Sequence, residues 1–208
     1  LVKKGEVDEV GKTNLLDEVY EIAGVNYKID NFILRGVKNG KTIGNISKNI
    51  IIRELRNVTT TATEVARALD KGKIKLLKLD EVDFYNAIKN PGEKTEDLKD
   101  VLAAQIDDEI FIKNTTSLDK AFGEIVHEGK HALDYKKGLF KNIKLLREES
   151  KQIIQDKISM EGFVEIMSDS QVIELRARIA EREFQIAAKQ PLDFQSASEM
   201  ISFILEKY

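Results

Sequence analysis

SLDKAFGEIVHEGKHALDYKKG, residues 117–138, is the stretch whose reading decides the fold. At its centre His127, Glu128, Gly129, Lys130 and His131 spell H-E-x-x-H, and the two histidines of the chain both stand here. On a helix, residues four apart lie one above the other on a single face, so both imidazoles reach one ion. Glu128 is turned by about 100° from His127, close enough to hold a water without being a ligand itself. Two nitrogen donors and a carboxylate base form the arrangement with which a helix supports zinc-assisted hydrolysis. The rival interpretation is a surface helix with two solvated histidines, which predicts no apolar face beside the motif. Phe122, Ile125, Val126, Ala132 and Leu133 surround it, so we expect a half-buried helix. Gly129 inside that helix costs about 1 kcal/mol against alanine, which a purely structural helix has no reason to accept.

Composition bounds the rest. A chain of 208 residues holds one domain with an elaborated edge, or a domain plus a short lead-in. With 42% hydrophobic and 33% charged residues it is expected to be a soluble folded protein rather than a disordered tail. The net charge is −3 with acids and bases interspersed, so nucleic acid is not an expected partner. No apolar run approaches the roughly 20 residues needed to span a bilayer, and no signal-peptide core opens the chain. The first residue is Leu1, from which we expect a chain processed or excised from a longer one. Cysteine is absent, so any metal must use nitrogen and oxygen donors.

Working outward from the motif, VLAAQI (101–106), Asp107-Asp108 and EIFIKN (109–114) read as a hairpin whose second strand leads into the motif helix. Thr116 and Asp119 are the expected capping pair of that helix. EIFIKN is then an edge strand bordering the cleft and a platform for an extended peptide, with a plain core strand as the alternative. Further upstream, KIKLLKL (73–79) alternates as a strand, and DEVDFYNAIK (80–89) reads as a helix closed by Asn90-Pro91-Gly92. Thr61 and Glu64 form a capping box opening a helix that ends at Gly72. IIIREL (50–55) is too short for periodicity to assign. Asn39-Gly40 marks a hairpin between YKIDNFILRGV (27–37) and KTIGNI (41–46), and LLDEVYEIAG (15–24) reads as a short helix. Downstream of Gly138 the pattern is helical: residues 141–157, a stretch through Phe163, residues 170–189, and a last helix capped by Ser196 and Glu199. The class is therefore α+β: a small mixed sheet, an edge strand before the motif helix, and a helical C-terminal half. Residues 1–55 read as a lead-in with a hairpin, and residues 56–208 as the functional domain.

A catalytic zinc takes three protein ligands and keeps one position open. With no further histidine, the third must be a carboxylate. Asp134 shares the face of His127 and His131 but lies too far along the same helix, so its expected role is to orient a histidine or close the helix end. Glu161, Glu165, Glu174, Glu181 and Glu183 are the downstream alternatives. Glu174 opens the helical segment ELRARIAEREFQ (174–185), and Ala177 one turn later lets two helices approach; Glu181 is the reserve. For a donor to a developing oxyanion, the side chains on offer are Tyr135, Tyr85 and Arg178.

HEGKHALDYKKG followed by ELRARIAEREFQ resembles the gluzincin-type zinc metallopeptidase domains at the C-termini of bacterial polymorphic toxins. The matching residues are His127, Glu128, Gly129, His131, Ala132, Leu133 and Asp134, then Glu174, Arg176, Ala177, Phe184 and Gln185. ALDKGKIKLLKL (68–79) and the strand before the motif are similar too, so the likeness spans roughly residues 60–190 and leaves 1–55 outside. It implies a zincin-like fold, Zn2+ on His127, His131 and Glu174, and Glu128 as base. It implies a peptide or protein substrate, a toxin or effector role in a bacterial protein secreted or delivered into a target cell, and an immunity or inhibitor protein as partner. Arg178 departs from the gluzincin pattern, which often has aspartate four residues after the ligand glutamate; Asp134 is the substitute. Two rival readings stand beside it: a non-catalytic zincin-fold binding or structural protein, against which an intact Glu128 argues, and a non-proteolytic metal hydrolase.

Overall fold

The computed structural model describes residues 39–158 and 163–208, with the backbone of 19–22 and 25–28. Strands β1 (Val19–Ile22) and β2 (Val25–Lys28) pair antiparallel, Val19 opposite Lys28. β1 occupies part of the expected helix at 15–24, where a valine, a tyrosine and an isoleucine in four residues favour the pleated backbone. Most of the first arm of the expected Asn39-Gly40 hairpin lies outside the described residues. Its second arm is not a strand: Thr42 makes a lone bridge to Ser117, and Ile43–Asn45 forms a 3-10 turn. The Ile43 and Gly44 amides donate to the Thr116 and Asn114 carbonyls, which ties this segment to the entry of the motif helix. A Cβ at Gly44 would stand 2.8 Å from the Asn114 carbonyl oxygen, so the approach needs glycine there.

α1 (Lys48–Leu55) takes up the unassigned IIIREL and buries Ile51, Ile52 and Leu55. From Ile43 onward, therefore, the expected lead-in contributes to the main core. α2 (Thr60–Asp70) starts earlier than its sequence pattern indicates: the Thr59 hydroxyl, not Thr61, accepts from the Ala62 amide at 3.1 Å. β3 (Lys75–Leu79) follows, then α3 (Glu81–Ile88), capped by Asp80. β4 (Ala103–Ile106) and β5 (Glu109–Lys113) form the expected hairpin. α4 (Leu118–Lys136) carries the motif. Its cap residue is Ser117, whose hydroxyl meets the Asp119 carboxylate at 2.5 Å. The Thr116–Asp119 pair does not form, because the Thr116 side chain is turned into the interior, its hydroxyl without a partner. The remaining helices are α5 (Ile143–Ile158), α6 (Phe163–Ile166), α7 (Asp169–Ala187) and α8 (Ala197–Lys207). α8 is capped by the Ser196 hydroxyl, while Glu199 reaches one residue further back, to the Gln195 amide.

The sheet runs β3-β5-β4, with β3 parallel and β4 antiparallel to β5, which makes a mixed α+β architecture. EIFIK is thus the central strand and β4 is an edge. The reason is visible in β5 itself, where Ile110, Phe111 and Ile112 are all buried and both faces must be covered. Ile110 and Ile112 point to the main core with α4, and Phe111 points the other way, to Phe84 and Leu98. α4 is the axis of that main core: Phe122, Ile125 and Val126 meet Val65 and Leu69 of α2 and Phe184 of α7. A second cluster joins α5, α7 and α8 through Leu146, Leu175 and Ile201.

Gly129 has a structural reason after all. A Cβ there would lie 2.7 Å from both methyl carbons of Val65, so the glycine lets α2 rest on α4. Valine is stiff about χ1 and cannot swing its methyls aside. Gly129→Ala gains about 1 kcal/mol of helix propensity but incurs an overpacking cost of about 1–3 kcal/mol. Urea denaturation should show a net loss of stability, with Val65→Ala in the same chain less damaging than the two single losses summed.

Candidate metal centre

α4 and α7 bring the site together. Gln185 and Glu181 of α7 lie against Gly123, while Glu174 lies against His127 and His131, so the two helices run antiparallel. The His127 and His131 Nε2 atoms are 3.2 Å apart, with the rings at 83°. Glu174 presents one oxygen 3.6 Å from His127 Nε2 and the other 3.5 Å from His131 Nε2. A small tetrahedral cation with bonds of about 2.0–2.2 Å to nitrogen and oxygen spaces its donors about 3.3–3.5 Å apart. The three side chains therefore have the chemistry and the spacing to hold a metal ion. Glu128 belongs to the same donor group, within 4.8 Å, but its Oε1 stands off at 3.9 Å from His127 Nε2.

The electrostatics describe a slot for positive charge. Burial pushes the Glu174 carboxyl up, yet the His127 and His131 imidazoles facing its two oxygens outweigh it and hold the group far below the ordinary range. Burial pushes His127 down, and Glu174 and Glu181 overcome it, so its imidazolium is favoured up to about 10. His127 Nδ1 faces Glu181 Oε2 at 3.3 Å, a charge contact without hydrogen-bond alignment, so the reserve ligand stands behind the histidine and steers the ring by its charge. Arg178 bridges both acids: Nε to Glu174 at 2.8 Å and Nη1 to Glu181 at 2.7 Å. Burial opposes its charge, but these carboxylates prevail and raise it.

Asp134 does not orient either histidine. Its oxygens are claimed by two buried cations, Arg176 at 2.7 and 3.2 Å and Lys130 at 2.6 Å. Arg176 continues to Ser150 and Glu149 of α5 at 3.1 and 3.0 Å, so this cluster ties α4, α5 and α7 together. Tyr135 bonds Asp107 at the β4–β5 turn and packs edge-on against Phe140, away from the histidine pair. Tyr85 lies across the sheet, where its hydroxyl receives Lys113 Nζ at 2.9 Å and donates to Glu81 at 2.8 Å. Glu161 falls outside the described residues, and Glu165 pairs with Lys151 at 2.6 Å.

The histidines floor a cleft of about 700 Å³. β4 forms one wall through Leu102–Gln105, and Ile173, Phe203 and Tyr208 form the other. Among the described residues, the outer edge of β4 is unpaired. Two residues that the sequence reading overlooked line this cleft. Tyr208 places its hydroxyl beside Glu174 and Arg178; burial and the Glu174 charge raise its pKa. Glu124, one turn before Glu128, is raised to about 7 by burial and by Glu181, against a smaller opposing pull from His127. Its i, i+4 spacing to Glu128 was a usable signal, whereas nothing local marks Tyr208. No family model, curated protein or solved structure matches the chain.

Two outcomes are expected. Glu181→Gln should weaken metal binding about 10–100-fold in a chelator-competition titration, because His127 loses its orienting carboxylate. Burial raises the Asp134 carboxyl, but Arg176 and Lys130 hold it below the usual aspartate range. Its stabilisation is therefore present above the unfolded pKa and lost as pH falls through the folded one. Asp134→Ala leaves buried Lys130 without its carboxylate and Arg176 with Glu149 alone, and should cost about 3–5 kcal/mol at pH 7, while flattening the acid limb of a stability–pH curve.

Proposed function

We propose that this protein is a zinc-dependent metallopeptidase of zincin-like fold, with His127, His131 and Glu174 as ligands and Glu128 as general base. The observation that carries the reading is the convergence of two imidazoles and a carboxylate from antiparallel helices, with a second carboxylate left beside them in an open cleft. A structural zinc site is closed by its four ligands and has no use for a spare base. The absence of cysteine leaves nitrogen and oxygen donors, which suit this ion.

Zinc held there would supply Lewis acidity, lowering the pKa of a water towards about 7 and polarising a carbonyl. Glu128 accepts the water proton and returns it to the leaving amine. Arg178 is committed to Glu174 and Glu181, so its work is to fix those acids. The Tyr208 hydroxyl is the better donor to a developing oxyanion, in place of Tyr135, Tyr85 or Arg178. An extended peptide adds to the edge of β4 that no strand among the described residues pairs, aligning its backbone over the histidine pair. No helix among the described residues is long and apolar enough to cross a membrane. The resemblance to polymorphic-toxin domains extends the proposal to a toxin or effector role, with an immunity or inhibitor protein as partner.

Zinc-loaded protein should cleave a fluorogenic peptide library, lose that activity to a chelator and regain it with zinc. Glu128→Gln should keep stoichiometric zinc and lose about 100- to 10,000-fold in kcat. Zinc bound at the site with no peptide cut would favour the non-catalytic binding protein instead.

A further inference from the structure

Glu124 is an acid of the cleft without a direct partner among the described residues; His127 and Arg178 act on it only through space. Glu174 has both histidines and Arg178, and Glu181 has Arg178 and His127. Glu124 makes no hydrogen bond or ion pair among the described residues, although it stands largely enclosed on α4. Lys120, one turn earlier, is the natural helical partner, but its ammonium is taken by Asp193.

The topology places more charge at the same end. α4 leaves the end of β5 and runs back along the hairpin, so that Lys136 meets Asp108 at the β4–β5 turn, 3.1 Å away. Its first half, with Glu124, accordingly lies where the chain enters β4. The segment leading into β4 carries Asp97 and Asp100, which line the cleft, are exposed and form no ion pair among the described residues. Lys207, the remaining base of the cleft, belongs to the other end, where α8 and the residue after it meet Gln171 and Ser170. One end of the cleft thus has a carboxylate on its floor and two at its rim, none of them in a hydrogen bond or ion pair with a cation among the described residues.

We propose that this acidic end is a side-chain subsite, with Glu124 as its specificity determinant, that seats a lysine or arginine flanking the bond to be cut. The inference rests on the peptidase reading and names its substrate class: peptides with a basic residue beside the scissile bond. An enclosed carboxylate gains most from a charged donor, and a guanidinium or ammonium supplies hydrogen bonds as well as charge.

The test compares arginine hydroxamate with norleucine hydroxamate on the zinc-loaded protein by titration calorimetry, beside cleavage of peptides with either residue at each flanking position. Arginine hydroxamate should bind about tenfold tighter or more, and the isosteric Glu124→Gln should collapse that ratio towards one. The same preference should appear in kcat/KM. Equal affinities in the native protein, or a ratio unmoved by Glu124→Gln, would overturn the subsite. Cleavage with no basic preference also overturns it, while leaving the peptidase reading intact. A preference in hydroxamate binding with no peptide ever cut sinks the peptidase reading and keeps the cation subsite.

Discussion

A carboxylate on one helix has to meet two imidazoles on another, and that requirement fixes how α4 and α7 lie together. The side chains in the contact are accordingly small or ionic. Ala177 and Ala180 are buried, and a Cβ at Gly123 would come within 3.2 Å of Gln185 and 3.3 Å of Glu181. The bond from Arg176 to Asp134 pins the register on the far side of the same contact. A slip of one residue along either helix would turn Glu174 away from the histidines and leave Asp134 and Arg176 buried without each other. Breaking such a pair costs far more than forming it gains, so it acts as a register lock more than as a source of stability.

Charge inside the site is arranged in alternation. Arg178 sits between Glu174 and Glu181, and His127 touches the same two acids from the other side. Each glutamate touches both cations and each cation touches both glutamates, so the four groups hold one another in place through shared contacts. On the proposed reading, the arginine that departs from the gluzincin pattern serves this alternation: it holds the ligand and the residue that orients His127 in one grip.

The helical course of residues 118–136, its half-buried face and the hairpin at 103–113 were legible because each rests on local spacing. The sequence left the carboxylate beside the histidines open among five glutamates, favouring Glu174 with Glu181 in reserve, and the structure brings Glu174 to both rings and Glu181 to the back of one. Strand order was not legible. β5 becomes central because β3 joins it in parallel across an intervening helix, and no local pattern announces such a partner. Asp134 was misjudged because its fate depends on Arg176, distant in sequence and no less buried. Gly129 invited a functional explanation, and the answer was the methyl groups of a valine on α2. Tyr208 was invisible because only the packing of α8 on α7 carries it to the cleft.

α7 is shared between both principal clusters of apolar side chains, with Phe184 in the one and Leu175 in the other. α4, which carries the two histidines, contributes to the first alone. Loosening α5 and α8 would therefore bare one face of α7, while Phe184 and the Arg176–Asp134 bond still hold it on α4. On the proposed reading, occupancy of the centre and the closure of α7 against α4 would become one equilibrium, because an ion that prefers three donors to two would favour the state in which Glu174 stands beside the imidazoles.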